Sequence, residues 1–95
     1  MTKAVPVAVR QKFRLYVAGR APNSTRAVAN IKAICAEHFA SHHDLEIVDM
    51  LEVPLRALAD GIVVTPTLVR FSPLPELRVI GTLADTHEVL LALGK

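Results

Sequence analysis

The sequence holds one cysteine, Cys35, and no tryptophan. A single thiol excludes a disulfide framework within the chain and a Cys-x-x-Cys redox centre, and it fits a reducing compartment. Aromatic residues are scarce, three Phe and one Tyr, and 11 basic residues stand against 9 acidic ones for a net charge of +2. With no basic run and few rings, nucleic acid is not an expected partner. Long apolar runs are missing as well. The opening "MTKAVPVAVR" is broken by Pro6 and closed by Arg10, which is too short for a signal h-region or a membrane span. Residues 1–11 therefore read as a flexible tail, no membrane partner is expected, and the expected location is cytoplasmic. Also missing are a phosphate-binding loop, a Gly-x-Ser-x-Gly elbow and any nucleophile beside a visible base.

What remains is a chain of 95 residues, 52% hydrophobic and 21% charged. That is one small globular domain, from about residue 12 to 95. Such a chain buries only roughly 60–65% of the surface it exposes when unfolded. "KFRLYVAG" at 12–19 alternates Phe13, Leu15 and Val17 with Lys12, Arg14 and Tyr16, the period of a strand. Gly19 ends it, and Pro22 opens a helix with Asn23 or Ser24 as its cap. Val28, Ile31, Ile34, Cys35 and Phe39 then recur at steps of three and four, the stripe of an amphipathic helix. "LEIVDML" at 45–51 is a second strand, with Leu45, Ile47 and Val48 as inward residues. "VPLRALADG" at 53–61 is a short helix with Pro54 in its first turn and Gly61 as its stop. Pro66 interrupts the next apolar run, where a ladder donor would be lost. A turn or a cis peptide at Thr65–Pro66 resolves this, with a strand resuming at Thr67. After "SPLPE" at 72–76, "LRVIG" at 77–81 returns antiparallel. Asp85, three residues before Glu88, caps a final helix that stops at Gly94.

The order β-α-β-α-β-β-α gives an α/β, thioredoxin-like single domain. A ferredoxin-like fold would place its last helix before its last strand. In a thioredoxin-like frame, the turn after the first strand is where the reactive cysteine sits, and here "YVAGRAPNST" at 16–25 has none. Ser24 and Thr25 stand at that helix N-terminus, suited either to capping or to an anion or thiolate. A glutathione- or thiol-handling enzyme using Ser24 and Pro66 is therefore a second reading of the same frame. His38, His42 and His43 cluster near the end of the first helix, short of the ligand number a zinc site requires. Asp49 and Glu52 are acids at a strand end with no visible catalytic pairing. Cys35 lies in the apolar stripe and reads as a packed thiol.

Six segments in fixed order carry a resemblance. They are "LYVAG" at 15–19, "PNS" at 22–24, "RA" at 26–27, "VDMLEVP" at 48–54, "TPTL" at 65–68 and "IGTLAD" at 80–85. Together they resemble the KaiB family of small clock proteins, over nearly the whole domain. The resemblance implies a non-catalytic module with no cofactor and no metal. Its implied partners are a KaiC-like ATPase, a histidine kinase whose thioredoxin-like domain competes for that ATPase, and further copies of itself in a dimer or tetramer. It also implies two accessible folds, the thioredoxin-like one and another in which the C-terminal half is rearranged. Matched basic positions make Arg26, Arg70 and Arg78 the implied partner-binding residues, the last two sharing a face if register permits. Solvated charges of little energetic weight are the alternative for all three. Gly19, Pro22, Asn23, Thr65, Pro66, Gly81, Asp85 and Ala92 are the implied structural or switch positions. The helix-favouring residues Asp85, Glu88 and Ala92 point to a readily accessible thioredoxin-like form. The family pattern is broken at "LRALADGIVV", with Gly61 where the family has lysine.

Overall fold

In the computed structural model, residues 10–94 are described. The elements are β1 (Gln11–Val17), α1 (Pro22–His38), β2 (His43–Asp49), α2 (Pro54–Ala59), β3 (Thr67–Ser72), β4 (Leu77–Ile80) and α3 (Thr86–Ala92). This is the expected order. Of the expected tail, residues 1–9 lie outside the described residues, while Gln11 is already the first residue of β1.

One four-stranded sheet has the order β2-β1-β3-β4. β1 runs parallel to β2, with Leu15 opposite Ile47, and antiparallel to β3, with Leu15 opposite Leu68. β4 closes antiparallel on β3, with Val69 opposite Arg78 and Arg70 opposite Leu77. The alternation read in β1 divides two cores. Phe13, Leu15 and Val17 face α1 and α3 and pack with Ala27, Ile31, Ile34, Cys35, Leu68, Val89 and Leu93. Tyr16 faces the other way and packs with Val48, Val69, Ile62 and Ala57 of α2. Each large apolar side chain so buried contributes about 1.5–3 kcal/mol. Phe13 and Phe39 meet edge to face with ring centroids 5.3 Å apart, a preferred geometry.

Two local expectations are corrected. α1 begins at Pro22 as expected, but its N-cap is Ala21, with no side-chain cap bond. Neither Asn23 nor Ser24 is the cap, because Pro22 takes the first helical position with its φ already set and its missing N–H costing nothing there. In β2, Val48 is buried beneath α2, Leu45 packs on the α1 side, and Ile47 remains 38% exposed. β2 is an edge strand, and the helix covering β1 does not extend over it fully. β2 runs from His43 to Asp49, two residues earlier than the expected 45–51, and the other boundaries agree within two residues. α3 starts with Asp85, whose carboxylate accepts from the Glu88 N–H at 3.1 Å. Thr65–Pro66 is cis, as are Ser72–Pro73 and Leu74–Pro75.

Candidate functional site

The turn after β1 is built without chemistry-bearing side chains at its tip. Gly19 takes φ +54°, the left-handed region that favours glycine, while a Cβ there would meet only the mobile tip of the exposed Leu51 side chain at 3.0 Å. Its N–H donates to Asp49 Oδ1 at 2.9 Å, and the Leu51 N–H donates to the same oxygen at 2.9 Å. Asp49 is thus a clasp joining the ends of β1 and β2. Sequence reading missed this role. Its signal was an Asp two residues before Leu51 at a strand end, the spacing of an Asx turn. Ser24 is 2% exposed, and its Oγ accepts from the Ala18 N–H at 3.0 Å. It ties the helix to the strand from inside and offers no surface hydroxyl to a thiol compound. Cys35 is buried in the α1 stripe, and burial pushes its thiol up to about 11. Such a thiol is a poor nucleophile at neutral pH.

Pro66 is buried and brought against Gly81, whose N–H donates to the Pro66 carbonyl oxygen at 3.0 Å. The Thr67 hydroxyl donates to the Val64 carbonyl oxygen at 2.6 Å and fixes the approach to the cis bond. Around this point the surface turns apolar. Leu51, Val53, Leu55, Leu58, Val63 and Val64 are exposed, Val63 to 88%. They run from the end of β2 through α2 to the loop before β3. Ile80 of β4 joins the last of them, lining with Gly61, Val63, Val64 and Arg78 a cleft of about 60 Å³. Isolated exposed leucines are ordinary, whereas six large apolar side chains left outward within residues 51–64 make this stretch the candidate surface.

Polar ties hold α2 beneath that surface. Glu46 of β2 accepts from Arg56 of α2 at 2.6 and 2.8 Å and from Arg14 of β1 at 3.0 Å. The Arg56 bonds, then Arg14, hold the Glu46 carboxyl below its ordinary 4.5. Arg14 also reaches Asp60 at 3.3 Å and lies 4.6 Å above the Phe71 ring. The buried Tyr16 hydroxyl donates to Asp60 as well.

The three arginines part company. Arg26 is exposed on α1. Arg78 is exposed on β4, with its guanidinium donating to the carbonyl oxygens of Asp60 at 2.7 Å and Gly61 at 3.3 Å, where α2 ends. Arg70 is 7% exposed and turned into the core on the other face. Its Nη1 donates to the Leu93 carbonyl oxygen and its Nη2 to that of Pro75, both at 3.0 Å. The register places Arg70 opposite Leu77 and Arg78 opposite Val69. The expected shared face is therefore corrected, since residues one register step apart on paired strands point to opposite sides. Pro22 and Asn23 lie exposed in the first turn of α1, and Asp85 and Ala92 lie exposed at the two ends of α3. His43 Nδ1 sits 3.2 Å from the Phe39 carbonyl oxygen. Among the described residues, no group of three or more His, Cys, Asp or Glu side chains is placed to hold a metal ion. No helix among them is long and apolar enough to cross a membrane.

A thioredoxin-like sheet with a thiol-free turn, a cis-proline and an apolar rim narrows the comparison. The KaiB domain model matches residues 14–95. The chain belongs to the KaiB family. It is 45% identical over 81 residues to the circadian clock protein KaiB3 of Synechocystis, covering 85% of this chain and 79% of that protein. With the circadian clock oscillator protein KaiB of Synechococcus elongatus, the identity is 44% over the same shares. In structure, it is similar to the N-terminal domain of Synechococcus elongatus SasA, with a TM-score of 0.72 and 25% identity over 96% of this chain and 88% of that one. A likeness in fold alone extends to the Drosophila melanogaster thioredoxin Deadhead, with a TM-score of 0.71 and 14% identity over 92% of this chain and 81% of that one.

Proposed function

We propose that this KaiB-family chain is a non-catalytic interaction module that docks on a KaiC-like ATPase and modulates its clock or signalling state. The docking surface is the apolar stretch of α2 and the loop before β3, flanked by Arg78, and Arg26 on α1 is a separate contact point assigned by family position. The observation that carries the reading is the domain-long likeness to a SasA N-terminal domain, joined to KaiB-family membership. A SasA N-terminal domain and a KaiB-family chain that share one frame are suited to compete for one partner. The buried Ser24 and the high-pKa, buried Cys35 support a frame kept for its shape. The thioredoxin-like arrangement is the docking form, and a rearranged C-terminal half is the second state of the same chain. Pairs of packings that interconvert differ by only a few kcal/mol.

The test is gel filtration of the full chain with the KaiC-like ATPase of the same organism, with and without ATP. Co-elution at micromolar concentration is expected, with displacement by a SasA-type domain. Arg26→Ala and Arg78→Ala each weaken the complex about tenfold or less, as for charges at an interface rim. Absence of any complex at these concentrations removes the partner.

A further inference from the structure

α2 ends at a residue that helix formation does not favour. Asp60 is its C-cap, and a carboxylate there faces the negative end of the helix dipole. Its partners lie on the sheet instead. Tyr16 of β1 is fully buried, and its phenol donates to Asp60 Oδ2. Arg14, two residues earlier on β1, donates to the same oxygen at 3.3 Å. From β4, Arg78 donates to the Asp60 carbonyl oxygen at 2.7 Å. Side chains from two strands thus converge on one residue. A buried phenol needs an acceptor, and Asp60 is the one that Tyr16 has among the described residues.

The loop that carries Val63 follows directly. Gly61, at φ +71°, donates to the Leu58 carbonyl oxygen and Ile62 to that of Ala57, both at 3.0 Å. This is the Schellman close of a helix, and it places Ile62 in the smaller core with Tyr16. Val63 and Val64 then stand outward, 88% and 44% exposed. A helix of six residues with one buried side chain, Ala57, does not fix that exit by packing alone. We propose that Asp60 is a positioning residue of the docking surface. The Tyr16 hydroxyl, delivered from the core, fixes the Asp60 side chain, and Asp60 fixes the angle at which residues 61–64 leave α2. Val63 and Val64 are thereby held as a partner meets them, and less ordering is left to the moment of binding. The effect on affinity rests on the docking role proposed above, whereas the effect on the loop does not.

A double-mutant cycle on the full chain, Tyr16→Phe and Asp60→Ala, tests it with two readouts. Calorimetric titration against the KaiC-like ATPase reads docking, and native-state amide exchange reads the loop. Asp60→Ala is expected to weaken the complex about tenfold and Tyr16→Phe about fivefold. The double variant is expected to bind as Asp60→Ala does, within about twofold, because both changes remove the same bond. The Ile62 amide is expected to exchange about tenfold faster in each variant, while that of Leu15 in β1 changes by much less. Ile34→Val is the control. It trims the larger core, so it lowers the thermal midpoint and leaves the affinity unchanged, because a chain that is still folded presents the same loop. Single effects that simply multiply in the double variant would overturn the proposal. So would an Ile34→Val variant that loses as much affinity as Tyr16→Phe. If the unmodified chain forms no complex, the docking role falls and the Ile62 amide decides alone, unchanged exchange in both variants overturning the positioning role. Should Tyr16→Phe fail to fold, Asp60→Asn takes its place. It keeps an oxygen for the phenol and is expected to retain most of the affinity, and an Asn variant as weak as Asp60→Ala overturns the proposal.

Discussion

At the scale of single residues, the turn after β1 shows how a thioredoxin-like frame holds its shape without its sulfur. Asp49 accepts two backbone N–H groups, from Gly19 and Leu51, with one carboxylate oxygen. Bonds to a charged acceptor are stronger than neutral ones, and losing the acceptor leaves the half-buried Gly19 N–H unpaired. Asp49→Ala is therefore expected to cost about 1–3 kcal/mol, read as a lower urea midpoint at unchanged slope. The one thiol behaves in the opposite way to a redox centre. Cys35 is buried and its ionisation is pushed up to about 11, and only the thiolate attacks. A disulfide reagent at pH 8 is expected to label it only as fast as the core opens, and instantly in denaturant. Rapid labelling of the folded chain would contradict the packing described for α1.

At the scale of elements, α2 is attached to the sheet largely by charge. Glu46 joins Arg56 of α2 to Arg14 of β1, while Ala57 is the only buried residue of the helix. The Glu46 carboxyl is held below 4.5 in the folded chain, first by its bonds to Arg56. A depressed carboxylate stabilises the fold fully above its unfolded value, and the contribution is lost as pH falls through the folded value. Glu46 is half exposed, so solvent screening limits this to about 1 kcal/mol or less. Glu46→Gln is expected to lower stability at pH 7 and to flatten its decline below about pH 4.5, followed by thermal melts across that range. The elements themselves were largely legible in the chain. β1 declared itself by alternation and α3 by its Asp85 cap, because each signal is local. The cap of α1 misled because Ser24, a good capping residue in isolation, is pulled inside by the Ala18 N–H. Strand order decided what happened to Ile47 and Arg70. An edge position leaves Ile47 open, and the pairing register turns Arg70 inward, and neither is written in the residues nearby.

At the scale of the whole molecule, the two faces of the sheet divide the work. One face holds the larger core with α1 and α3, while the other buries little of α2 and leaves its leucines and the following valines outward. A small domain gains little margin from burial, so apolar side chains left outside contribute to something other than folding. Val63 is the sharpest case, 88% exposed on a loop that ends at the cis bond. A charge placed there should disturb folding little, since exposed substitutions usually stay within about 0.5 kcal/mol. At the centre of a docking surface, the same charge would be desolvated against apolar groups, with a penalty of about 2 kcal/mol or more. Val63→Asp is therefore expected to leave the thermal midpoint nearly unchanged while weakening the ATPase complex about thirtyfold or more. Leu91→Asp serves as the control. Leu91 is also exposed, but on α3 and away from the stretch that runs from α2 to β4. Calorimetric titration of the three proteins against the ATPase decides the assignment. Binding lost with Val63→Asp and kept with Leu91→Asp places the partner on the α2 side. The reverse pattern moves it to the α3 face.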